Sequence, residues 1–398
     1  MRTLLVTAGT WGDVGPYIGL GLRLQQAGHV VTLAAPARYT PAVREHGLSA
    51  CDLDFDPARL RPVMDTATLR AHQSQMLKTL SNGIVSRLLH EVTRAMDEGE
   101  PVATVLSSSG TAPVVAAIAA RRGIRHVCLP LQPTVAWQQA PEAGDPSSTT
   151  AMLLHHHTMR RTLTALVAHL LEDSPHSGRW ETLHGFSRRV VPRPASWPDH
   201  AQICGYWWPP TTLGWKPDPA LTDFLQAGPP PVYVGFGSHT ALEQHRVSQA
   251  QDQIIEALRQ VRLRAVIQTG VPLAGEPNDD LHLVNHVPHE WLMPRVTAAV
   301  HHAGAGTTAA TLRAGIPSVP LPIMTDQPFW ASRLTTLGCA PEAIPHTGLS
   351  TARLAQALQA ATSEPRYRAN AQRLRQLIAS EDGAAAVIER ITPGNCAA

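Results

Sequence analysis

Charge, aromatic rings and lysine are all scarce in this sequence. Asp, Glu, Lys and Arg make up 16% of its 398 residues, Phe, Trp and Tyr 5%, and there are only two lysines, Lys78 and Lys216. The formal net charge is +2, with no basic tail and no long run of one sign. The electrostatic footprint of a nucleic-acid binder is therefore missing. Cysteines number five (Cys51, Cys128, Cys204, Cys339 and Cys396), an odd count without a Cys-x-x-Cys pair. That argues against a disulfide framework and a structural zinc site, and best fits a reducing cytoplasm. Long apolar runs are absent too. The stretch from Val114 to Ala120 cannot cross a bilayer, and the run at the N-terminus is too short for a leader, so it reads as a buried first strand. The hydrophobic fraction is nevertheless 43%, enough for sizeable cores, and the length suits two domains.

The order of elements points to an α/β protein. Leu4-Leu5-Val6 is continuously apolar, as in a strand covered on both faces. A turn-rich loop, Gly9 to Pro16, follows, with Pro16 suited to the first helical position. Tyr17, Leu20 and Leu24 mark one helix face, Gly28 ends the helix, and His29 to Leu33 forms the next strand. Further strands are expected at Ala103 to Leu106 and His126 to Leu129, with a helix over Ala112 to Ala120 between them. From Pro133 to His200 the pattern weakens, apart from a helix from about Met152 to Leu171. The same rhythm restarts at Pro231 to Gly235, with strands near Ala265 to Gln268, Leu283 to Val287, Ala298 to His301 and Ser318 to Leu321. Strand–helix–strand units of this kind require parallel sheets. The expected fold is two Rossmann-like doubly wound domains facing across a cleft. The expected boundaries are 1–205, a Pro/Trp-rich linker at 206–220, a second domain at 221–380, and a C-terminal segment at 381–398 that returns to the first domain.

The sharpest chemical signal is Val300-His301-His302-Ala303-Gly304-Ala305-Gly306-Thr307-Thr308. A strand ends and a helix begins on small residues, so backbone can approach a ligand closely. The helix start offers unpaired N–H groups and the positive end of the dipole, which suits a diphosphate. His302 adds a donor there, although close helix–sheet packing alone would also explain the glycines. About twenty residues on, Asp326 and Gln327 stand at another helix start. A carboxylate beside an amide can hold vicinal sugar hydroxyls from both sides of the hydrogen bond; taken alone, the pair fits a simple N-cap by Asp326 better. Asp13, close before Pro16, reads either as a loop-bracing or N-cap carboxylate or as a general base.

Together, the segment from Val287-Pro288-His289-Glu290-Trp291-Leu292 through His301-His302 to Asp326-Gln327-Pro328-Phe329-Trp330, with Leu4 to Ala35, resembles the nucleotide-sugar-dependent glycosyltransferases of GT-B architecture. The likeness is to the antibiotic and sterol branches, and it covers most of the chain. It implies that His302 contacts the donor diphosphate, with Gly304, Gly306 and Thr307 as its cradle. It places His286 and Val287 at the nucleobase, Asp326 and Gln327 at the sugar, and Ser238 across the cleft from the phosphates. Thr10 would touch phosphate on closure and Asp13 would be the base of an inverting transfer. The implied co-substrate is a UDP- or dTDP-sugar, with no cofactor or metal, and the acceptor a bulky apolar small molecule from natural-product or sterol chemistry. Two positions depart from the pattern: Ala303 stands where relatives carry Gly, and Trp11 where they carry Arg.

Other signals weigh less. Asp52-x-Asp54 has the spacing of a metal–diphosphate motif but reads as a solvated acidic turn. His155-His156-His157 is poor geometry for a metal, because neighbouring helical residues diverge. Ser107-Ser108-Ser109-Gly110 lacks the context of a nucleophile elbow. The stripe Met159 to Leu170 reads as core that could border an acceptor pocket. A dehydrogenase is disfavoured, since no Gly-x-Gly-x-x-Gly follows the first strand and no acid ends the second. A nucleotide-sugar epimerase and a non-catalytic nucleotide-sugar-binding protein remain as alternatives.

Overall fold

A computed structural model describes residues 1–54, 83, 85–134, 160–172, 180–211, 213–237, 241–268, 279–323 and 326–392, with backbone alone for 241–249. Its first half runs β1 (Arg2–Val6), α1 (Trp11–Gln26), β2 (Val30–Pro36), α2 (Thr40–Glu45), β3 (Ser49–Leu53), α3 (Ser86–Asp97), β4 (Thr104–Ser107), α4 (Ala112–Arg121) and β5 (Arg125–Cys128). A helix over 160–170, α5, precedes β6 (Glu181–His184) and β7 (Ala201–Ile203). The second half contains α6 (Pro219–Gln226), β8 (Val232–Gly235), α7 (Ala241–Gln260), β9 (Ala265–Gln268), β10 (Leu281–Val284), α8 (His289–Leu292), β11 (Ala298–His301), α9 (Ala305–Ala314), β12 (Ser318–Pro320) and α10 (Gln327–Thr336). It closes with α11 (Thr351–Ser363), α12 (Pro365–Ala379) and α13 (Gly383–Ile391).

Two sheets result. The first has strand order β3-β2-β1-β4-β5-β6-β7 and the second β10-β9-β8-β11-β12. Every pairing in both is parallel. The fold is therefore the expected pair of doubly wound α/β units. The strand order reverses between β1 and β4 in one sheet and between β8 and β11 in the other. Ligands of such sheets bind at that reversal, outside the carboxyl ends of the strands. α1 leaves β1 at the first reversal, and α9 leaves β11 at the second.

The two units share a core. Phe186, Val190, Trp197 and Ile203 from the first pack with Leu312, Phe329, Trp330 and Leu334 from the second. The Phe186 and Trp330 rings meet edge to face at 5.8 Å, a favoured aromatic geometry. Between the units, Trp207 points into the core of the first sheet while Tyr206 and Trp208 pack against the shared core. α13 lies back against the first unit: Ala384, Val387 and Ile391 join its core, and Asp382 pairs with Arg23 at 2.7 Å.

Several local expectations need correction. α1 begins at Trp11, so Pro16 stands inside the helix rather than at its first position. The hydrogen bond that proline cannot donate would go to the Gly12 carbonyl four residues back, and because Gly12 is exposed, water can serve that acceptor. Cys51 to Leu53 is the outer strand β3 and not a loop. Its acids are paired, Asp52 with Arg44 at 3.0 Å and Asp54 with Arg87 at 2.9 Å. β6 lies inside, and β7 directly after, the region where the sequence pattern is weak. Of the expected helix over 152–171, residues 160–170 are helical; there Leu163, Leu166 and Val167 pack into the first unit's core. His155, His156, His157 and Met159 lie outside the described residues.

Candidate functional site

The first turn of α1 carries Thr10, Trp11, Gly12 and Asp13. Asp13 Oδ2 accepts the Thr10 backbone N–H at 2.8 Å and the Thr10 hydroxyl at 3.2 Å. Asp13 is thus the third residue of the helix, where a carboxylate favours both the unpaired N–H groups and the dipole. Gly9 makes room for it. Its φ is +145°, and a Cβ there would lie 2.1 Å from Asp13 Oδ2. Trp11 packs on Tyr39 with ring centroids 5.9 Å apart, and the Arg38 guanidinium covers Tyr39 from 4.7 Å. Neither Arg38 nor Tyr39 stood out in the sequence; only their place at the end of the second strand could have marked them.

α9 supplies the facing element. Gly304 is its N-cap, with extended backbone, so the helix starts at Ala305. The Thr308 N–H makes the first helical bond, to Gly304 O at 2.9 Å. The N–H groups of Ala305, Gly306 and Thr307 precede that ladder and have no intrahelical acceptor. The His302 ring is fitted between two glycines. A Cβ on Gly304 would lie 2.3 Å from its Nε2, and one on Gly237, whose φ is +71°, would lie 2.9 Å from its Cε1. Next to it, His301 is fully buried and burial drives its pKa down to about 3. Its Nδ1 accepts the Ala303 N–H at 3.1 Å. Ala303 adopts φ +60°, the left-handed region where an L side chain costs about 1–2 kcal/mol. Its methyl group belongs to the shared core, so the residue that departs from the family pattern is strained but packed.

The two helix starts meet. A Cβ on Gly306 would stand 3.9 Å from the Gly12 Cα. Gly12 is the second residue of α1 and Gly306 the second of α9, and both are exposed. The first turns of two helices, each carrying about half a positive charge at its N-terminus, thus approach one another at glycines. Asp13 and His302 flank this junction in sequence on either side.

The remaining expected site residues fall as follows. His286 is exposed and Val287 buried, in the turn before α8. Asp326 is the N-cap residue of α10, yet its side chain does not cap the helix. Its Oδ2 instead accepts the Trp330 indole N–H at 2.8 Å. Gln327 is buried, and its Oε1 accepts the Ile323 N–H at 2.8 Å. These two bonds hold the start of α10 in shape. Ser238 lies outside the described residues.

One network at the carboxyl edge of the second sheet was not foreseen. Tyr233 of β8 bonds Gln268 Oε1 at 2.9 Å and His289 Nε2 at 3.1 Å. The sequence separations of 35 and 56 residues hide it. Among the described residues no three His, Cys, Asp or Glu side chains converge on a point that could hold a metal, and no helix is long and apolar enough to cross a membrane.

Comparison with known proteins agrees with this architecture. Residues 3–127 match the glycosyltransferase family 28 N-terminal domain, and residues 245–393 match the erythromycin biosynthesis protein CIII-like C-terminal domain. The chain is 32% identical to an O-mycaminosyltylonolide 6-deoxyallosyltransferase of Streptomyces fradiae, over 96% of this chain and 95% of that one. It is 28% identical to a sterol 3-beta-glucosyltransferase of Arabidopsis thaliana over 98% of its own length, spanning 65% of that longer relative. Among solved structures, the glycosyltransferase of kitacinnamycin superposes with a TM-score of 0.73 at 20% identity, covering 98% of this chain and 99% of the other. A Streptomyces glycosyltransferase complexed with thymidine diphosphate gives 0.65 at 20% identity, covering 98% and 99%. The chain belongs to the GT-B glycosyltransferases, in the family that holds macrolide deoxysugar transferases and sterol glucosyltransferases.

Proposed function

We propose that this glycosyltransferase moves a hexose or deoxyhexose from a UDP- or dTDP-sugar to a hydroxyl of a bulky, largely apolar small molecule, inverting the anomeric centre. The observation that carries this is the meeting of two helix N-termini at Gly12 and Gly306. Two positive dipole ends brought close together favour an anion beside them, and a sugar diphosphate supplies one. The N–H groups at the start of α9, with His302, would hold the diphosphate, and Thr10 would touch it from the side of α1. His286 and Val287 would border the base, and Asp326 and Gln327 the sugar. Ser238 is proposed for the phosphates on the sequence resemblance alone.

The acceptor hydroxyl would give its proton to Asp13 as its oxygen forms the new bond to the anomeric carbon. The bond from that carbon to the diphosphate breaks, and its electron pair leaves with the diphosphate. The α9 N-terminus and His302 stabilise that growing charge. One displacement inverts the centre and needs no covalent sugar–enzyme intermediate. No metal is invoked, and the nearest motif of that kind has Asp52 and Asp54 engaged by arginines. The relatives named above act on O-mycaminosyltylonolide and on sterols, which supports a large apolar acceptor.

Incubation with UDP- and dTDP-sugars and a pooled set of macrolide, polyketide and sterol acceptors tests this by mass spectrometry. The expected result is an acceptor carrying one added hexose or deoxyhexose. Donor turnover with no acceptor product, from either donor class, would contradict it.

A further inference from the structure

The Tyr233 network has a direction. Tyr233 lies on β8 beside β9, with Gly235 paired to Gln268 across the two strands. Its phenol reaches the carboxyl edge of the sheet because residue 235 has no side chain: a Cβ there would stand 2.0 Å from the phenol oxygen. The ring is buried with Val287, Leu292 and Met293. Burial lifts the Tyr233 pKa and drives that of His289 down to about 4, so both are neutral. The single phenol proton goes to Gln268 Oε1. The Tyr233 oxygen must then accept from His289, which fixes the imidazole as its Nε2–H tautomer. The chain runs His289 Nε2–H to Tyr233 Oη–H to Gln268 Oε1.

Its end is Gln268, the last residue of β9 and only partly buried. With the carbonyl oxygen accepting from the phenol, the NH2 is left for a ligand at the sheet's carboxyl edge. His289, at the other end of the chain, is three residues after His286. β8 continues into Gly237, which lies so close to the His302 ring that a Cβ there would stand 2.9 Å from its Cε1. Tyr233 and His289 therefore sit on segments that border the donor in the reading above, on which the present inference rests, and Gln268 is paired across the strands with Gly235 of the first of them.

We infer that Gln268 is a donor-binding residue, presenting a fixed amide N–H to an acceptor oxygen of the nucleoside diphosphate, and that Tyr233 and His289 are positioning residues that set its orientation. Neither positioning residue touches the ligand in this scheme. Removal of either acts on binding only through Gln268.

The test is calorimetry of thymidine diphosphate and uridine diphosphate on the full chain, with His302→Ala as control. Gln268→Leu should weaken binding of the better ligand about tenfold, the size of one lost hydrogen bond to a charged or polar group. Tyr233→Phe, which keeps the ring, should weaken it about threefold to fivefold. The double variant should bind no worse than Gln268→Leu alone, because the phenol has nothing left to orient. His289→Gln, which keeps an N–H donor, should bind more tightly than His289→Leu. A Gln268→Leu protein that binds like the parent, while His302→Ala is weakened, overturns this inference and leaves the site reading standing. Parental binding by both variants sinks the site reading itself. If the Tyr233 and Gln268 effects multiply in the double variant, the positioning role is refuted.

Discussion

Replacing Asp13 separates two jobs that one carboxylate would perform. Its Oδ2 braces the first turn of α1 through the Thr10 N–H and hydroxyl, and the same group is proposed as the base. Asp13→Asn keeps an oxygen that can accept both Thr10 bonds and loses only the charge. The expected cost in stability is about 0.3–1 kcal/mol, the value of a carboxylate near a helix N-terminus. Asp13→Ala loses the brace as well, for a total of about 1–2 kcal/mol. Turnover should not follow that ranking. Both variants lose the proton acceptor, so both should fall by about 10²–10⁴-fold in kcat. Steady-state kinetics at saturating donor and acceptor give the turnover, and urea unfolding gives the stability. Calorimetry with nucleoside diphosphate should show near-parental affinity for Asp13→Asn. A folded Asp13→Asn enzyme with more than about a third of parental kcat would refute the base assignment and leave Asp13 as a helix brace.

Four further outcomes are expected. Gly304→Ala places a methyl group where the His302 ring now stands, so nucleoside diphosphate should bind about tenfold or more weakly; unchanged affinity in calorimetry contradicts this. Ala303→Gly relieves φ +60° but loses a buried methyl group and adds unfolded-state freedom; these offset to within about 1 kcal/mol. Ala309→Gly, in the ordinary helical backbone of α9, should cost about 2 kcal/mol, and urea unfolding of both variants compares them. Burial holds His126, His184 and His289 down to about 4 and His301 to about 3. The unfolded rings take up protons below pH ~6.5 while the folded ones do not. Stability should therefore fall between pH 6.5 and 4 by up to about 1.4 kcal/mol per pH unit for each ring, and a flat unfolding midpoint over that range contradicts the burial. Burial raises the Glu381 carboxyl, with partial offset from the Ser187 hydroxyl and the charges of Arg188 and Arg189. A carboxyl that holds its proton more tightly when folded loses stability as pH rises through that window. Glu381→Gln should accordingly unfold later than the parent at pH 8, and an earlier midpoint counts against it.

Much of the architecture was legible because its strands are buried on both faces. Leu4-Leu5-Val6 and Ala298 to Val300 are continuous apolar runs, as in strands of a covered parallel sheet. The small residues from Ala303 to Thr307 likewise announced a helix start that backbone could share with a ligand. β6 and β7 were hidden by length: at four and three residues they are too short for any period to show. β3 was misread because an outer strand tolerates charge, so Asp52 looked like a turn. The start of α1 was misplaced because a proline inside a helix is normally costly, and nothing in the sequence says that Gly12, four residues before it, is exposed. The approach of Gly12 to Gly306, and the chain from His289 through Tyr233 to Gln268, join residues far apart in sequence. Neither leaves a local pattern.

The most direct test is a crystal structure of the protein with thymidine or uridine diphosphate bound. The diphosphate should lie on the first turn of α9, touching His302 and the N–H groups from Ala305 to Thr307. The Asp13 carboxylate should open onto the same cavity, across the Gly12–Gly306 junction. A diphosphate seated away from α9, or a nucleotide complex in which Asp13 faces a separate cavity, would contradict the proposed mechanism.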